Sequence, residues 1–309
     1  MKIPHPVQYQ GSKRNLAPLI LQYFPAKVER LVEPFAGTGA VSIACAAVGR
    51  AERYWLNDCN KPLAELLQSI INIPDELADF YKTLWHEQLA DSEGHYYKAR
   101  KDFNNTSDPG IFLYLLSRCV KGAVRYNSVG EFNQSPDKRR KGAKPETMRN
   151  NICGVSALLK GRTAVSCLHY QEMLEDIEKT DLVYMDPPYQ GVCGERDSRY
   201  CSGINHDEFV DFLHELNKKE VPYLISYDGC CGNRTYGKEL PDSLKLKRLE
   251  IEAGRSSQAT LLGKKEITRE SLYLSELLLQ HQAAEPQKCK KPQWGQLPLF
   301  EKKKAYVRL

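Results

Sequence analysis

The stretch VEPFAGTGAVS, residues 32–42, constrains the fold of this 309-residue chain more than any other. LVEPF is apolar and extended, TGAVSIACAAV has helical periodicity, and Gly37 and Gly39 fall between the two. RYWLND then supplies a second short strand that ends in polar residues. The same rhythm returns later in TAVSCLHY, DLVYMDPPY, a helix around HDEFVDFLHELNKK, and VPYLISYDG. Apolar runs alternating with helical patterns predict an α/β fold with a mostly parallel sheet. Ligands of such sheets sit at the carboxyl ends of the strands.

Between about Ile73 and Lys160 the texture changes. DELADFYKTLWHEQL and FLYLLSRCVKG read as helices, and a segment rich in Gly, Asn, Pro, Lys and Arg follows. The chain therefore reads as one α/β unit in two pieces, residues 1–70 and 162–285, interrupted by an insertion over 71–161. Residues 286–309 hold Pro, Lys and Gln with little periodicity and read as a flexible tail.

Hydrophobic residues at 41% and charged residues at 27% describe an ordinary globular protein. No apolar run approaches the roughly 20 residues of a membrane-spanning helix. MKIPHPVQYQGSKR lacks the apolar segment of a secretion signal. Ten cysteines show no CxxC spacing. Cys193, Cys201 and His206 can be imagined as ligands, but thiols used as small hydrophobes in a reducing cytoplasm are the favoured reading, and no metal is expected. The net charge of +5 permits a polyanionic partner without requiring one.

The glycine loop lets backbone approach a ligand closely, and the helix start beyond it offers free N–H groups. A full G-x-G-x-x-G is missing, because Val41-Ser42 stand where a third glycine would fall. Asp58, in LNDCN, can accept hydrogen bonds from a ribose diol. It can equally cap the helix that Lys61-Pro62 open. Loop and acid together describe an adenosine-type pocket.

Asp186-Pro187-Pro188-Tyr189 ends another strand. Proline has no N–H, so the turn leaves the ladder with its carbonyls free, and the rings fix the loop before any ligand arrives. Asp186 and the Pro187 carbonyl can accept both hydrogens of a flat –NH2 group, while Tyr189 offers a stacking face worth about 1–3 kcal/mol to a planar base. That grip favours the pyramidal amine with a localised lone pair, so it strengthens as a bond to carbon develops. An adenosine-bearing methyl donor in the neighbouring pocket would complete an in-line transfer. A turn that only closes a strand would explain the prolines but not the acid and tyrosine beside a glycine loop.

YQGSKRNLAPLI, VEPFAGTGAVS, LNDCN and VYMDPPY, with VRYNSVGEFN between the last two, resemble in content and order the Dam-like (D12 class) DNA adenine-N6 methyltransferases of the α arrangement. RSSQATLLGKKEITRESLYLS resembles a downstream segment of that family, with serines, basic residues and an acid before the last strand. The likeness covers about residues 5–280. It implies a class I methyltransferase (Rossmann-like) sheet with an inserted, mainly helical DNA-recognition domain containing a β-hairpin. It also implies S-adenosylmethionine as donor and N6 of a flipped adenine in double-stranded DNA as acceptor. By motif position Tyr9, Lys13, Glu33, Phe35, Ala36, Gly37, Gly39, Asp58 and Asp186 would line the cofactor site, with Asp58 on the ribose. The family often has tryptophan where this chain has Tyr9. Asp186, Pro187, Pro188 and Tyr189 would receive the base, whose extrusion costs a few kcal/mol. A monomer is expected, bacterial or phage-encoded, cytoplasmic and nucleoid-associated.

Within the insertion, Lys138, Arg139, Arg140, Lys141, Lys144 and Arg149 are opposed in their own run only by Asp137 and Glu146. Beside a reading hairpin, such a run suits phosphate contacts. Arg125 is the choice for a base contact, its fork matching guanine O6 and N7. Tyr126, Asn127 and Phe132 would shape the hairpin or insert beside it, and Lys121 and Asn133 count with them as DNA-binding residues. Asn127, Gly130 and Asn133 can equally do no more than form the turn. The likeness of RYNSVGEFN to the family's hairpin implies a GA-containing site such as GATC. Lys121, Ala123 and Gln134-Ser135-Pro136 depart from what many relatives carry.

In the tail, Gln296–Phe300 (QLPLF) resembles the pentapeptide by which bacterial replication and repair proteins dock onto the sliding clamp. A terminal patch packing on its own domain is the alternative. Rival activities are methylation of RNA or of a protein amide, and a rival of another class is a catalytically silent DNA-binding module. The basic insertion and the intact motifs weigh against them.

Overall fold

A computed structural model of the chain describes residues 3–188, 204–231, 234–236, 238–255 and 267–284. Tyr189, Cys193, Cys201 and the QLPLF segment lie outside the described residues. The sheet contains β1 (Val28–Glu33), β2 (Ala51–Asn57), β3 (Thr163–Ser166), β4 (Asp181–Met185), β5 (Tyr223–Cys231), β6 (Arg234–Tyr236), β7 (Lys247–Arg255) and β8 (Ile267–Leu274). Their order is β3-β2-β1-β4-β5-β8-β7, with β6 paired to β5. The first five strands of that order run parallel. β8 pairs antiparallel with both β5 and β7. The chain winds outward one way from β1 and the other way from β4, and such a reversal opens a crevice at the carboxyl ends of the two strands.

Alternation along β1 sends neighbouring side chains to opposite faces. Leu31 joins one apolar cluster with Leu56, Leu67, Phe112 and Ile152, and Val32 joins another with Met185, Phe209, Phe212 and Tyr223. β4, DLVYM, is buried along its whole length, as a parallel strand covered on both faces must be. Fully burying side chains of this kind contributes about 1.5–3 kcal/mol each.

The helices are α1 (Ala17–Ile20), α2 (Ala40–Ala47), α3 (Lys61–Asn72), α4 (Pro74–Glu87), α5 (Ser92–Thr106), α6 (Pro109–Arg118), α7 (Pro145–Leu159), α8 (His206–Lys218) and α9 (Glu276–Ala284). α2 is apolar except for Ser42 and packs against α1 and α7. α3 buries Leu63, Leu66, Leu67, Ile70 and Ile71, the three- and four-residue spacing of an amphipathic helix. The Asp108 carboxylate accepts the Ile111 N–H at 2.9 Å, and Pro109 opens α6. α6 is buried from Phe112 to Arg118 among α3, α4 and α5. α7 returns the chain toward the sheet, packing on α2, α3 and α4. One apolar cluster therefore runs from the sheet into the insertion without a break.

The hairpin of the insertion takes the form of a loop closed by isolated bridges, Tyr126 with Phe132 and Cys119 with Pro136. Asn127 accounts for this. Its Oδ1 accepts the N–H groups of Val129 at 3.1 Å and Glu131 at 2.8 Å, and Gly130 adopts φ 82°. Side-chain bonds thus replace the ladder a longer hairpin would build. No helix among the described residues is long and apolar enough to cross a membrane.

Candidate active site

The carboxyl ends of β1, β2, β3 and β4 face one cavity of about 610 Å³. Its walls include Tyr9 and Lys13, the glycine loop, Asp58, His169 and Tyr170 after β3, and Asp186, Pro187 and Pro188 after β4. Gly37 and Gly39 have φ of 53° and 63°, in the left-handed region where a Cβ would be strained. The chain thereby doubles back, and the Gly39 N–H donates to the Ala36 carbonyl at 2.7 Å.

Asp58 joins two loops. Its Oδ2 accepts the Gly37 N–H and its Oδ1 accepts the Asn60 N–H, both at 2.9 Å. Asn60, not Asp58, occupies the N-cap position of α3, so the acid serves the helix start one step removed. Burial raises the Asp58 carboxyl above its ordinary range, with the two backbone donors pulling the other way. Next to it, buried Asn57 donates from Nδ2 to the carbonyls of Pro34 and Leu168 at 3.0 Å each. Asn57 Oδ1 accepts from Ser166 Oγ and the Leu168 N–H, both at 2.8 Å. One amide thus stitches together the chain segments leaving β1, β2 and β3.

The electrostatic centre is Lys13. Its ammonium is only 7% exposed, donates to Asp186 Oδ1 at 2.7 Å, and lies 3.6 Å from Glu270 Oε2. Burial raises the carboxyl groups of Asp186 and Glu270, and Lys13 opposes that rise in both. Glu33, 2% exposed, accepts the Ser42 N–H at 2.6 Å. Burial pushes Glu33 up to about 8, so it is mostly protonated at neutral pH. Ser42 stands where a third glycine would fall, and its N–H is already taken. Phe35 packs against Tyr170 at 5.2 Å between ring centroids, and the buried Tyr170 hydroxyl has no hydrogen-bond partner.

Most residues expected at the cofactor pocket line this cavity: Tyr9, Lys13, Glu33, Phe35, Ala36, Gly37, Asp58 and Asp186. Gly39 does not, because it turns the chain one step behind the wall and faces Leu56 instead. Ser12 and Thr38, whose hydroxyls are 3.0 Å apart, also line the cavity although neither was expected there. Glu270 and Asn57 fall within matched segments, yet neither was expected at the site. His206, imagined as a ligand, instead sits 3.2 Å from the Glu239 carbonyl and 3.1 Å from Asp207.

The loop over residues 119–136 of the insertion stands apart from the cavity but is tied to it. The Tyr126 hydroxyl donates to Asn60 Oδ1 at 3.1 Å, and the Gln10 N–H donates to the carbonyl of Gly122 at 3.0 Å. Lys121 belongs to the short 3-10 turn Val120–Gly122 at the loop's base. Arg125 is exposed, and its carbonyl accepts the Asn133 N–H at 2.8 Å. Phe132 belongs to the core. It is 1% exposed and packs edge-on against Phe103, Phe112 and Tyr126, so of shaping and inserting only shaping is open to it. The Asn127 side chain is spent on the turn, with Nδ2 donating to Glu131 Oε2 at 2.9 Å.

The basic run meets more acids than its own stretch supplies. Lys138 pairs with Glu93 at 3.0 Å, and Arg149 pairs with Asp75 at 2.7 Å and also with Asp79. Arg139 and Arg140 lie 3.6 Å from Asp137. Lys138, Arg139 and Arg140 nonetheless stay 72%, 90% and 70% exposed.

Residues 9–256 match the family described as D12 class N6 adenine-specific DNA methyltransferase. The chain belongs to this family. It is similar to the DNA adenine methylase of Haemophilus influenzae, 28% identical over 260 residues that cover 80% of this chain and 85% of that protein. Likeness to the DNA adenine methylase of Salmonella typhi is 31% over 230 residues, covering 71% and 79%. The type II methyltransferase M.MjaIII of Methanocaldococcus jannaschii is 26% identical over 249 residues, covering 73% and 84%. The chain is accordingly a DNA adenine-N6 methyltransferase with an α/β fold.

Proposed function

We propose that the chain moves the methyl group of S-adenosylmethionine to N6 of an adenine flipped out of double-stranded DNA, at a GA-containing site such as GATC. One observation carries this reading: Asp186-Pro187-Pro188 and the Gly37–Asp58 pair line the same cavity. The donor fits the residues present. Asp58 keeps acceptor capacity for a ribose diol beyond its two N–H bonds. Phe35 and Tyr170 offer flat apolar surface. Two carboxylates, Asp186 and Glu270, share the single ammonium of Lys13, so the cavity suits a ligand bearing positive charge.

When bound, S-adenosylmethionine supplies an electrophilic methyl carbon on a positively charged sulfur. Asp186 and the Pro187 carbonyl accept the amine hydrogens of the extruded base and localise the N6 lone pair. Held by Asp58, Phe35 and the glycine loop, the donor would supply its methyl group to N6 and keep the carbon–sulfur electron pair. One amine proton then leaves through the Asp186 carboxylate to solvent. Burial raises Asp186, which makes it a better acceptor for that proton. Tyr189 stacks beneath the base.

In this reading residues 1–70 and 162–285 form the catalytic domain and residues 71–161 the target-recognition domain. Arg125 reads guanine, Lys138, Arg139 and Arg140 contact phosphates, and the protein acts as a monomer. The QLPLF segment docks on a sliding clamp, a reading that equal clamp binding by a Leu299→Ala/Phe300→Ala variant would remove. For the main proposal, the protein is incubated with labelled donor and unmethylated duplex DNA, RNA or protein. N6-methyladenine in the DNA is expected, and sequencing of methylated DNA should find it within GA. Label on RNA or protein alone would overturn the assignment.

A further inference from the structure

Asn60 stands at the N-cap position of α3 with the extended backbone of a capping residue, yet its side chain takes no N–H of that helix. Asparagine is a favoured cap because its oxygen satisfies an N–H that the helix start leaves without a partner. Pro62 has no N–H to offer, and the Leu63 N–H turns to the Asn60 carbonyl at 2.9 Å. Asn60 Oδ1 instead accepts the Tyr126 hydroxyl at 3.1 Å, across 66 residues of chain. Each end of that bond continues toward a site. On one side the Asn60 N–H donates to Asp58 Oδ1, and Asp58 Oδ2 accepts the Gly37 N–H, both at 2.9 Å. On the other side Tyr126 follows Arg125 in a loop whose base is fixed. The Gln10 N–H donates to the Gly122 carbonyl at 3.0 Å, and a Cβ on Gly122 would lie 2.6 Å from the Gln8 carbonyl oxygen. With the base pinned, a shift of Arg125 carries Tyr126 with it and bears on Asn60.

We infer that Asn60 is a positioning residue that ties donor affinity to target reading. The inference rests on the proposed roles of Arg125 and Asp58. The Asn60 side-chain oxygen has two settings: bonded to Tyr126 with α3 uncapped, or released and turned to the Leu63 N–H as an ordinary cap. The bonded setting steadies the Asn60 backbone, and through its N–H the Asp58 carboxylate that accepts the donor's ribose. Arg125 seated on its base favours that setting, because Tyr126 is then held in place beside it. Linkage makes the effect reciprocal, so a bound donor tightens the cognate duplex by the factor with which the duplex tightens the donor. Asn60 does not line the cavity and acts only through Asp58.

The test uses the full chain in four forms: unsubstituted, Asn60→Ala, Tyr126→Phe and the double variant. The Kd of S-adenosylhomocysteine, the donor without its methyl group, is measured by calorimetry on two duplexes. One carries the site found by sequencing methylated DNA, and the other has that site scrambled. The ratio of the two Kd values is the readout, because a loss of packing alone moves both alike. The unsubstituted protein should bind about tenfold more tightly on the cognate duplex. In each single variant the ratio should fall to within about twofold of one, with no further change in the double variant. Asn60→Asp, which keeps an acceptor for the hydroxyl, should restore most of the ratio. If Asn60→Ala fails to fold, Asn60→Asp and Tyr126→Phe carry the test, the ratio being kept in the first and lost in the second. A ratio near one in the unsubstituted protein, an unchanged ratio in either single variant, losses that add in the double variant, or no recovery in Asn60→Asp overturns the inference. Absent methyl transfer to DNA, or transfer without sequence preference, is failure of the proposed roles of the cavity or of Arg125. That result is distinct from a site-specific enzyme whose ratio ignores Asn60.

Discussion

Lys13 in the cavity and Arg139 on the basic run each sit beside an aspartate, in settings that differ in almost every physical respect. Lys13 is 7% exposed and 2.7 Å from Asp186, whereas Arg139 is 90% exposed and 3.6 Å from Asp137. Water screens the second pair, leaving its interaction near the roughly 0–1 kcal/mol of surface ion pairs, with the cation free to serve a long-range field. The first pair is desolvated, and each partner depends on the other's position. Charge in the cavity therefore acts through geometry, and charge on the insertion acts through number.

The hardest test of that contrast is Asp186→Ala. Methyl transfer should fall at least about a thousandfold, the scale of removing a preorganised interaction of roughly 3–4 kcal/mol. Duplex binding should stay within about twofold, and retained transfer would end the idea that chemistry depends on this pair. Phe132→Ala comes next. Its ring lies among Phe103, Phe112 and Tyr126, so the substitution should cost about 3–5 kcal/mol in denaturant unfolding. A cost below about 1 kcal/mol would show that the reading loop is not anchored by the core.

Glu33 gives the cavity a pH signature of a few kcal/mol or less. Its carboxyl, raised from 4.5 to about 8, holds a proton in the fold where the unfolded chain has lost it. Stability from this group is therefore full below 4.5 and falls as pH rises to about 8. Unfolding measured across that range should show a flatter slope for Glu33→Gln than for the unsubstituted protein. Arg125→Ala should lose about 1–3 kcal/mol of discrimination and broaden the set of methylated sites found by sequencing. The smallest change per residue belongs to the exposed cations. Replacing Lys138, Arg139 and Arg140 by alanine should weaken binding alike on all sequences and reduce the salt slope by about 0.9 for each phosphate no longer neutralised. A sequence-selective loss there would blur the contrast between number and geometry.

Much of the sheet was legible because its signals are local. The glycine turn, the apolar run of β4 and the periodicity of α8 each need only neighbouring residues to be read. Asp58 and Asp186 were legible as site residues because both end strands. The rest depends on partners distant in the chain. Glu93, Asp75 and Asp79 face the basic run from α5 and α4, and nothing within KRRKGAK announces them. Phe132 lies in a loop, where alternation assigns no face, so its burial followed only from the packing of α5 and α6. Glu270 reaches Lys13 because β8 lies antiparallel beside β5, a pairing at the sheet's mixed edge that a hydrophobic pattern does not specify. In LNDCN the acid drew the reading, while Asn57 was read only as the polar end of a strand.

Asn57 has a consequence for how this molecule tolerates change. A carboxamide carries a donor end and an acceptor end, and here both are used, toward Pro34 and Leu168 on one side and Ser166 and Leu168 on the other. Aspartate would set oxygen against two carbonyls, and leucine would leave every one of those groups bereft. Because the asparagine precedes an aspartate, slow chemical ageing to the acid would reach all these segments through a single atom exchange.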